Sequence, residues 1–237
     1  MILRLEMCRS QFWHHENEKN TKPNSGCAGC LHHWTNEEIV GNIQNHRIAG
    51  NEWDSFDPMR HLDLPAIFVS SFRRPLDRAL SQFRFECLEH RGCKFTEVEP
   101  WWKHRKDLYN VYTWTFSDQG QQARLFSSTR AADIAKRSDA VGLALDVIVQ
   151  FHLIMSMEYL RFAAPLVEDV LGFQDTSVLT QHVRPHNGQI KRQDSLIPKD
   201  YLSPEQYRIM SESLALDEIL TDAAQRLFWE RIICQTY

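Results

Sequence analysis

The sequence predicts an α/β domain: a parallel sheet flanked by helices, with a helix-rich C-terminal half. Three observations lead there. The run Ala66 to Phe72 is short, apolar and β-rich, bounded by Pro65 on one side and arginines on the other, as a strand buried on both faces of a parallel sheet should be. Directly after it, Leu76, Leu80, Phe83 and Cys87 recur at helical spacing, and Pro75 stands where a first helical turn tolerates a missing N–H. From about residue 139 onward, dense apolar residues and a helix-start signal at Ser203 predict further helices.

Taken in order, residues 1–60 are polar, rich in His and Asn and weakly periodic, with loop signals at "TKPNSGCAGC" and "DSFDP". They read as an irregular N-terminal segment preceding a domain over residues 61–237. Strand, tight turn and helix follow from Ala66. The stretch from Trp101 to Arg137 reads as mixed loop and short helix. Residues Asp139 to Leu171 predict one or two core helices, broken near Pro165, and "GFQDTSVLTQHVRP" predicts a turn and a short extended segment. Ser203 is an N-cap with Pro204 at the first helical position and Gln206 at the third, and helix formers continue to about Ile233.

Composition limits what the chain does. At 237 residues and 43% hydrophobic content it can bury a sizeable core as one domain. A net charge of −4 and a pI near 6.3 argue against a broadly basic face, so no nucleic-acid partner is expected and anion binding falls to a local cluster. No uncharged apolar stretch approaches the roughly 18–20 residues that span a bilayer, and the apolar part of "MILRLEMCRSQFW" is short for a signal peptide, so the sequence reads as soluble. Six cysteines are spread too thinly for a disulfide scaffold and leave the compartment open.

The local cluster is "RRPLDR", Arg73 to Arg78. With Pro75 as the first helical residue, Arg74 is the N-cap and offers no side-chain oxygen to the free N–H groups of the first turn. At about 100° per residue, Leu76, Leu80, Phe83 and Cys87 fall on one side of the helix and Arg74, Arg78, Ser81 and Phe85 on the other. A helix start at the carboxyl end of a parallel strand, with arginines and a hydroxyl beside it, is a sound phosphate or sulfate site. A solvated polar face on an amphipathic helix fits the same spacing.

"FRRPLDRALSQF" resembles the motif R-x-P-x-x-R-x-x-S-x-[YF] of sulfotransferases, matched by Arg73, Pro75, Arg78, Ser81 and Phe83. In that superfamily the motif binds the 3′-phosphate of the donor 3′-phosphoadenosine 5′-phosphosulfate. The resemblance implies that Arg73 and Ser81 contact the 3′-phosphate and that Arg78 supports the helix start. Further along, "GQQARLFSS" is similar to the N-x-x-x-R-x-L-x-G element of the Golgi-type carbohydrate branch, with Arg124 at the arginine and the asparagine and glycine altered. "LALDVIVQFHLIMSMEYLRFAAPLVEDVLGF", with Glu158, and "LALDEILTDAAQRLFWERI", with Asp217, look like two further elements of that branch. The implied fold is P-loop-like. The family's phosphosulfate loop, P-K-x-G-[GS]-[TS], has no match; the nearest text is "NTKPNSG", with Lys22 and Ser25, and no strand reads before it. The expectation is a chain without the family's first βα unit.

"CAGCLHHW", Cys27 to Trp34, with His14 and His15 upstream, brings two thiols and several imidazoles together. C-x-x-C is half of a tetrahedral zinc site, but the second half has the wrong spacing for common zinc fingers. A disulfide or free thiols are preferred, and no metal is expected. By resemblance a histidine between the donor motifs takes the proton of the acceptor hydroxyl. His33, or its neighbour His32, suits that role by position and by a side-chain pKa near working pH; a surface histidine reads equally well. His46, His61, His182 and His186 are weaker candidates. The aromatic run "EPWWKHRKDLYNVYTWTF" reads either as sugar contacts or, preferably, as ordinary core. The resemblance thus implies sulfuryl transfer to a hydroxyl of a carbohydrate or small alcohol in the Golgi lumen, without metal. The alternative is a catalytically silent relative that binds nucleotide or a partner. The sequence leaves the oligomeric state open.

Overall fold

The computed structural model describes Glu37 and residues 66–89, 93–117, 139–180 and 197–235. Almost all of them lie in one compact unit, Ile67–Ser117 with Ser127–Tyr237. A second unit, Met1–Ala66 with Asp118–Phe126, lies outside the described residues apart from Glu37 and Ala66. The expected boundary at residue 60 therefore falls outside them too.

The described unit is helix-rich around a small parallel sheet of two strands. Strand β1, Val69–Phe72, carries two β-branched or aromatic ends around Ser70 and Ser71 and pairs in parallel with β2, Leu153–Ser156, Val69 opposite Leu153 and Phe72 opposite Ser156. Every residue of β2 is buried. Between them run helix α1, Pro75–Phe83, continued by a π-helical turn Arg84–Glu89; α2, Val98–His104; a 3₁₀ turn Lys106–Leu108; α3, Val111–Ser117; and α4, Ala140–Ile148. After β2 come a 3₁₀ segment Met157–Phe162, α5 at Ala164–Leu171, a 3₁₀ turn Ser177–Thr180, α6 at Pro198–Tyr201, α7 at Pro204–Ser213 and α8 at Ala215–Gln235.

β2 corrects the expected one or two core helices over residues 139–171. "LIMS" is apolar and enclosed on both faces, and such a run has no periodicity that separates a buried strand from a buried helix. Pro165 does not break a helix; it lies in the first turn of α5, and Gly172 ends that helix in the left-handed conformation, φ 68°. The extended segment expected after Gly172 is instead a 3₁₀ turn at Ser177–Thr180, and residues 181–185 of that stretch lie outside the described residues. The Ser203 capping box forms as read, with Ser203 Oγ accepting from Gln206 N at 3.2 Å and Gln206 Oε1 from Ser203 N at 3.0 Å. The helix behind it is two helices, because the backbone leaves the helical region at Leu214.

Two apolar clusters fill the unit. In one, Leu76, Ala79, Leu80 and Phe83 of α1 meet Trp101 and Trp102 of α2 and Met210 of α7. In the other, Leu153 and Met155 of β2 meet Leu166 and Val167 of α5 and Phe228 of α8. Each such large apolar side chain contributes about 1.5–3 kcal/mol on burial. The two buried indoles also place their N–H groups: Trp101 Nε1 donates to Glu86 Oε2 at 2.9 Å and Trp102 Nε1 to Ser213 Oγ at 3.0 Å. A disulfide joins Cys87 and Cys93. Among the described residues, no helix is long and apolar enough to cross a membrane.

Glu86 leads to a stability prediction. Its carboxylate pairs with Arg105 and also accepts from Gln82 and Trp101. Burial raises this carboxyl, but the hydrogen bonds outweigh it and hold it below its ordinary value of 4.5. A depressed folded-state value means stability that is present above pH 4.5 and lost as the pH falls through the folded value. Unfolding free energies measured by denaturant from pH 7 to pH 3 should fall in that window, and Glu86→Gln should flatten the fall while lowering stability at pH 7.

Candidate functional site

The "RRPLDR" cluster lies where β1 passes into α1, beside the carboxyl end of β2. Arg74 is the N-cap of α1, with non-helical backbone (φ −50°, ψ 128°) and no side-chain cap, and Pro75 begins the helix. The first-turn N–H groups of Leu76 and Asp77 have no acceptor within the helix. Two neighbouring backbone donors are already engaged. Arg73 N donates to Tyr112 Oη at 3.2 Å, and Arg74 N donates to Glu158 Oε1 at 2.8 Å. Glu158 Oε2 accepts from Ser156 Oγ at 3.0 Å, which ties the turn to the last residue of β2.

Arg73 is partly exposed and Ser81, in the second turn of α1, is exposed. Arg78 differs from them. The helical wheel puts it on the outer side, yet its side chain is only 15% exposed, because Leu108, Tyr112 and Asp217 lie against it there. Its guanidinium donates to Leu108 O at 3.1 Å, lies 5.1 Å from the centre of the Tyr112 ring and sits 4.0 Å from Asp217 Oδ2. These contacts support the start of the helix from inside.

Tyr112 and Asp217 hold the floor of the turn. Tyr112 is pushed up to about 12 by burial, against the opposing pull of Arg78, so its phenol stays protonated at neutral pH. Asp217, with no solvent exposure, accepts from Thr113 N at 2.8 Å and Tyr112 N at 3.1 Å. It thereby caps α3 from α8. The exchange is mutual: Asn110, at φ 49°, accepts with Oδ1 from Leu216 N at 3.1 Å and Asp217 N at 3.2 Å and caps α8. Burial pushes the Asp217 carboxyl up, and Arg78 and the two N–H groups oppose it.

The arginines are balanced by acids. Burial raises Asp77, which lies under the opposed influence of Arg73 and Glu158. Burial also raises Glu218, with Asp222 and Asp217 adding to it and Arg74 opposing. The turn is thus a place where Arg73 and Arg74 reach solvent with the carboxyl groups of Asp77, Glu158 and Glu218 close by.

The remaining expected site residues are not placed here. His32, His33 and Arg124 lie outside the described residues, as do Lys22, Ser25, Cys27 and Cys30. Among the described residues, no three His, Cys, Asp or Glu side chains gather as a metal ion would require. In the aromatic run, Trp101, Trp102, Trp114 and Phe116 are buried in the core, which removes them as sugar contacts. Sequence reasoning passed over Asn110 and Tyr112. Nothing in "LYNVY" distinguishes a capping amide or a half-buried tyrosine from surface residues; only the left-handed backbone that Asn tolerates hints at the first.

The Asp217 network generates a second prediction. Asp217→Ala leaves the N–H groups of Tyr112 and Thr113 without their acceptor and the Arg78 guanidinium without its neighbouring charge, which should cost about 3 kcal/mol or more of unfolding free energy. Asp217→Asn keeps one acceptor oxygen and should cost less. Chemical denaturation of the two variants beside the parent chain checks the order.

No family model, curated protein or solved structure matches this chain.

Proposed function

We propose that the chain is a sulfotransferase of the P-loop-like fold, moving a sulfuryl group from 3′-phosphoadenosine 5′-phosphosulfate to a hydroxyl of a carbohydrate or small alcohol. The observation that carries the reading is the β1–α1 turn: an N-terminal helix end with no side-chain cap, at the carboxyl end of a parallel strand, between a partly exposed Arg73 and an exposed Ser81. The residues present fit a 3′-phosphate. The arginine supplies a charge-assisted donor, the hydroxyl a neutral one, and the first-turn N–H groups add the positive end of the helix dipole. The donor itself supplies the activated sulfuryl group. The chain's part is to hold and orient it, and to take the acceptor proton on His33 or His32; no metal is needed. The Cys87–Cys93 disulfide agrees with an oxidising compartment, since such bonds persist outside reducing ones, and the Golgi lumen is what the resemblance implies.

One observation favours a second reading, a silent relative that binds nucleotide or a partner. The sequence contains no P-K-x-G-[GS]-[TS] segment, and a loop of that kind would meet the charge that develops on the leaving phosphate.

Calorimetry tests the site and a transfer assay separates the readings. Adenosine 3′,5′-bisphosphate should bind more tightly than adenosine 5′-monophosphate, and Arg73→Ala should weaken the bisphosphate roughly tenfold or more. Equal affinities for the two nucleotides would remove the assignment. Given that discrimination, radiolabelled sulfate passing to sugar or small-alcohol acceptors favours the enzyme, and nucleotide binding without transfer favours the silent relative.

A further inference from the structure

We infer that Glu158 is a positioning residue for the 3′-phosphate, acting through the backbone of Arg74; the inference rests on the donor-site reading above. Three consecutive residues follow Phe72 at the turn, and none offers a free backbone donor. Arg73 N–H is given to Tyr112 Oη, Arg74 N–H to Glu158 Oε1, and Pro75 has no N–H at all. An anion arriving at the turn is therefore left to the Arg73 side chain, the Ser81 hydroxyl and the N–H groups of the first helical turn. Where it settles depends on how firmly the turn is held.

Glu158 holds the side of the turn nearest β2. In a capping box the glutamate or glutamine three residues into the helix reaches back to the N-cap N–H; here that third position is Asp77, and the N-cap N–H of Arg74 is taken by Glu158, 84 residues along the chain. The carboxylate is fixed in turn by Ser156 Oγ, and Ser156 is 1% exposed in the β2 backbone paired with Phe72. The result is a hydrogen-bonded bridge: β2 to Ser156, Ser156 to Glu158, Glu158 to Arg74. Its negative charge lies at the helix start, where the dipole favours it. It also occupies the Arg74 N–H, which is thereby withdrawn from an arriving anion. Glu158 thus directs the phosphate to the Arg73 and Ser81 side and makes the site selective for a nucleotide carrying a 3′-phosphate.

The test uses the 237-residue chain and the affinity ratio between adenosine 3′,5′-bisphosphate and adenosine 5′-monophosphate. Glu158→Ala should lower that ratio roughly tenfold. Glu158→Gln, whose amide oxygen still accepts from Arg74 N–H, should keep it within about threefold. Ser156→Ala, which frees Oε2 and leaves Glu158 in place, should lower it by a smaller factor and serves if the alanine variant at 158 does not fold. A merely structural glutamate would lower both affinities together and leave the ratio alone, so an unchanged ratio in Glu158→Ala, or in Ser156→Ala if the former is unfolded, overturns the inference while leaving the donor site standing. Absence of discrimination in the parent chain overturns the donor-site reading and this inference with it.

Discussion

The carboxylate of Asp217, fully withdrawn from water, is the constraint on which the rest of the described unit depends. It accepts the Tyr112 and Thr113 N–H groups that begin α3, while Asn110 in the preceding turn accepts the N–H groups that begin α8. Two helix starts thus satisfy each other across more than 100 residues of chain. Neither could be buried otherwise, since each orphaned N–H left dry costs about 1–3 kcal/mol. Arg78 lies against the same carboxylate and joins α1 to the pair.

That arrangement explains why the arginine-bearing turn has a defined shape without a local cap. Tyr112, fixed by Asp217 at its backbone, presents its hydroxyl to Arg73 N; Glu158, fixed by Ser156, presents its carboxylate to Arg74 N. The turn is held from α3 on one side and from β2 on the other. Of the three arginines, one is used internally to support this frame, and the other two reach solvent. Burial and charge balance, rather than arginine count, decide which of them can meet a ligand.

Much of this frame was legible in the sequence. The β1–α1 unit followed from "AIFVSSF" and the Leu76, Leu80, Phe83 spacing, and the α7 start from "SPEQ", because strand bounds, helical period and capping chemistry are all local signals. β2 was not legible. Its residues are apolar on both faces, and the partner that makes them a strand lies 84 residues earlier, at a pairing that no local pattern reports. The burial of Arg78 was not legible for a related reason: a helical wheel assigns faces, but the outer side of α1 is covered at Arg78 while Ser81, one turn on, stays exposed. The mutual caps of Asn110 and Asp217 escaped because each residue serves a helix other than its own, whereas the sequence signature of a cap is adjacency. Asp217 and Glu158 were marked only by resemblance, which indicated positions and not the hydrogen bonds they make.

A double-mutant cycle between Arg78 and Asp217 reads this frame directly. With Arg78→Met, Asp217→Asn and the double variant, denaturant unfolding should give a coupling of about 1 kcal/mol or more, since the two side chains share a buried network. Coupling near zero, with the single effects simply adding, would mean that the carboxylate does not tie α1 to the α3–α8 caps.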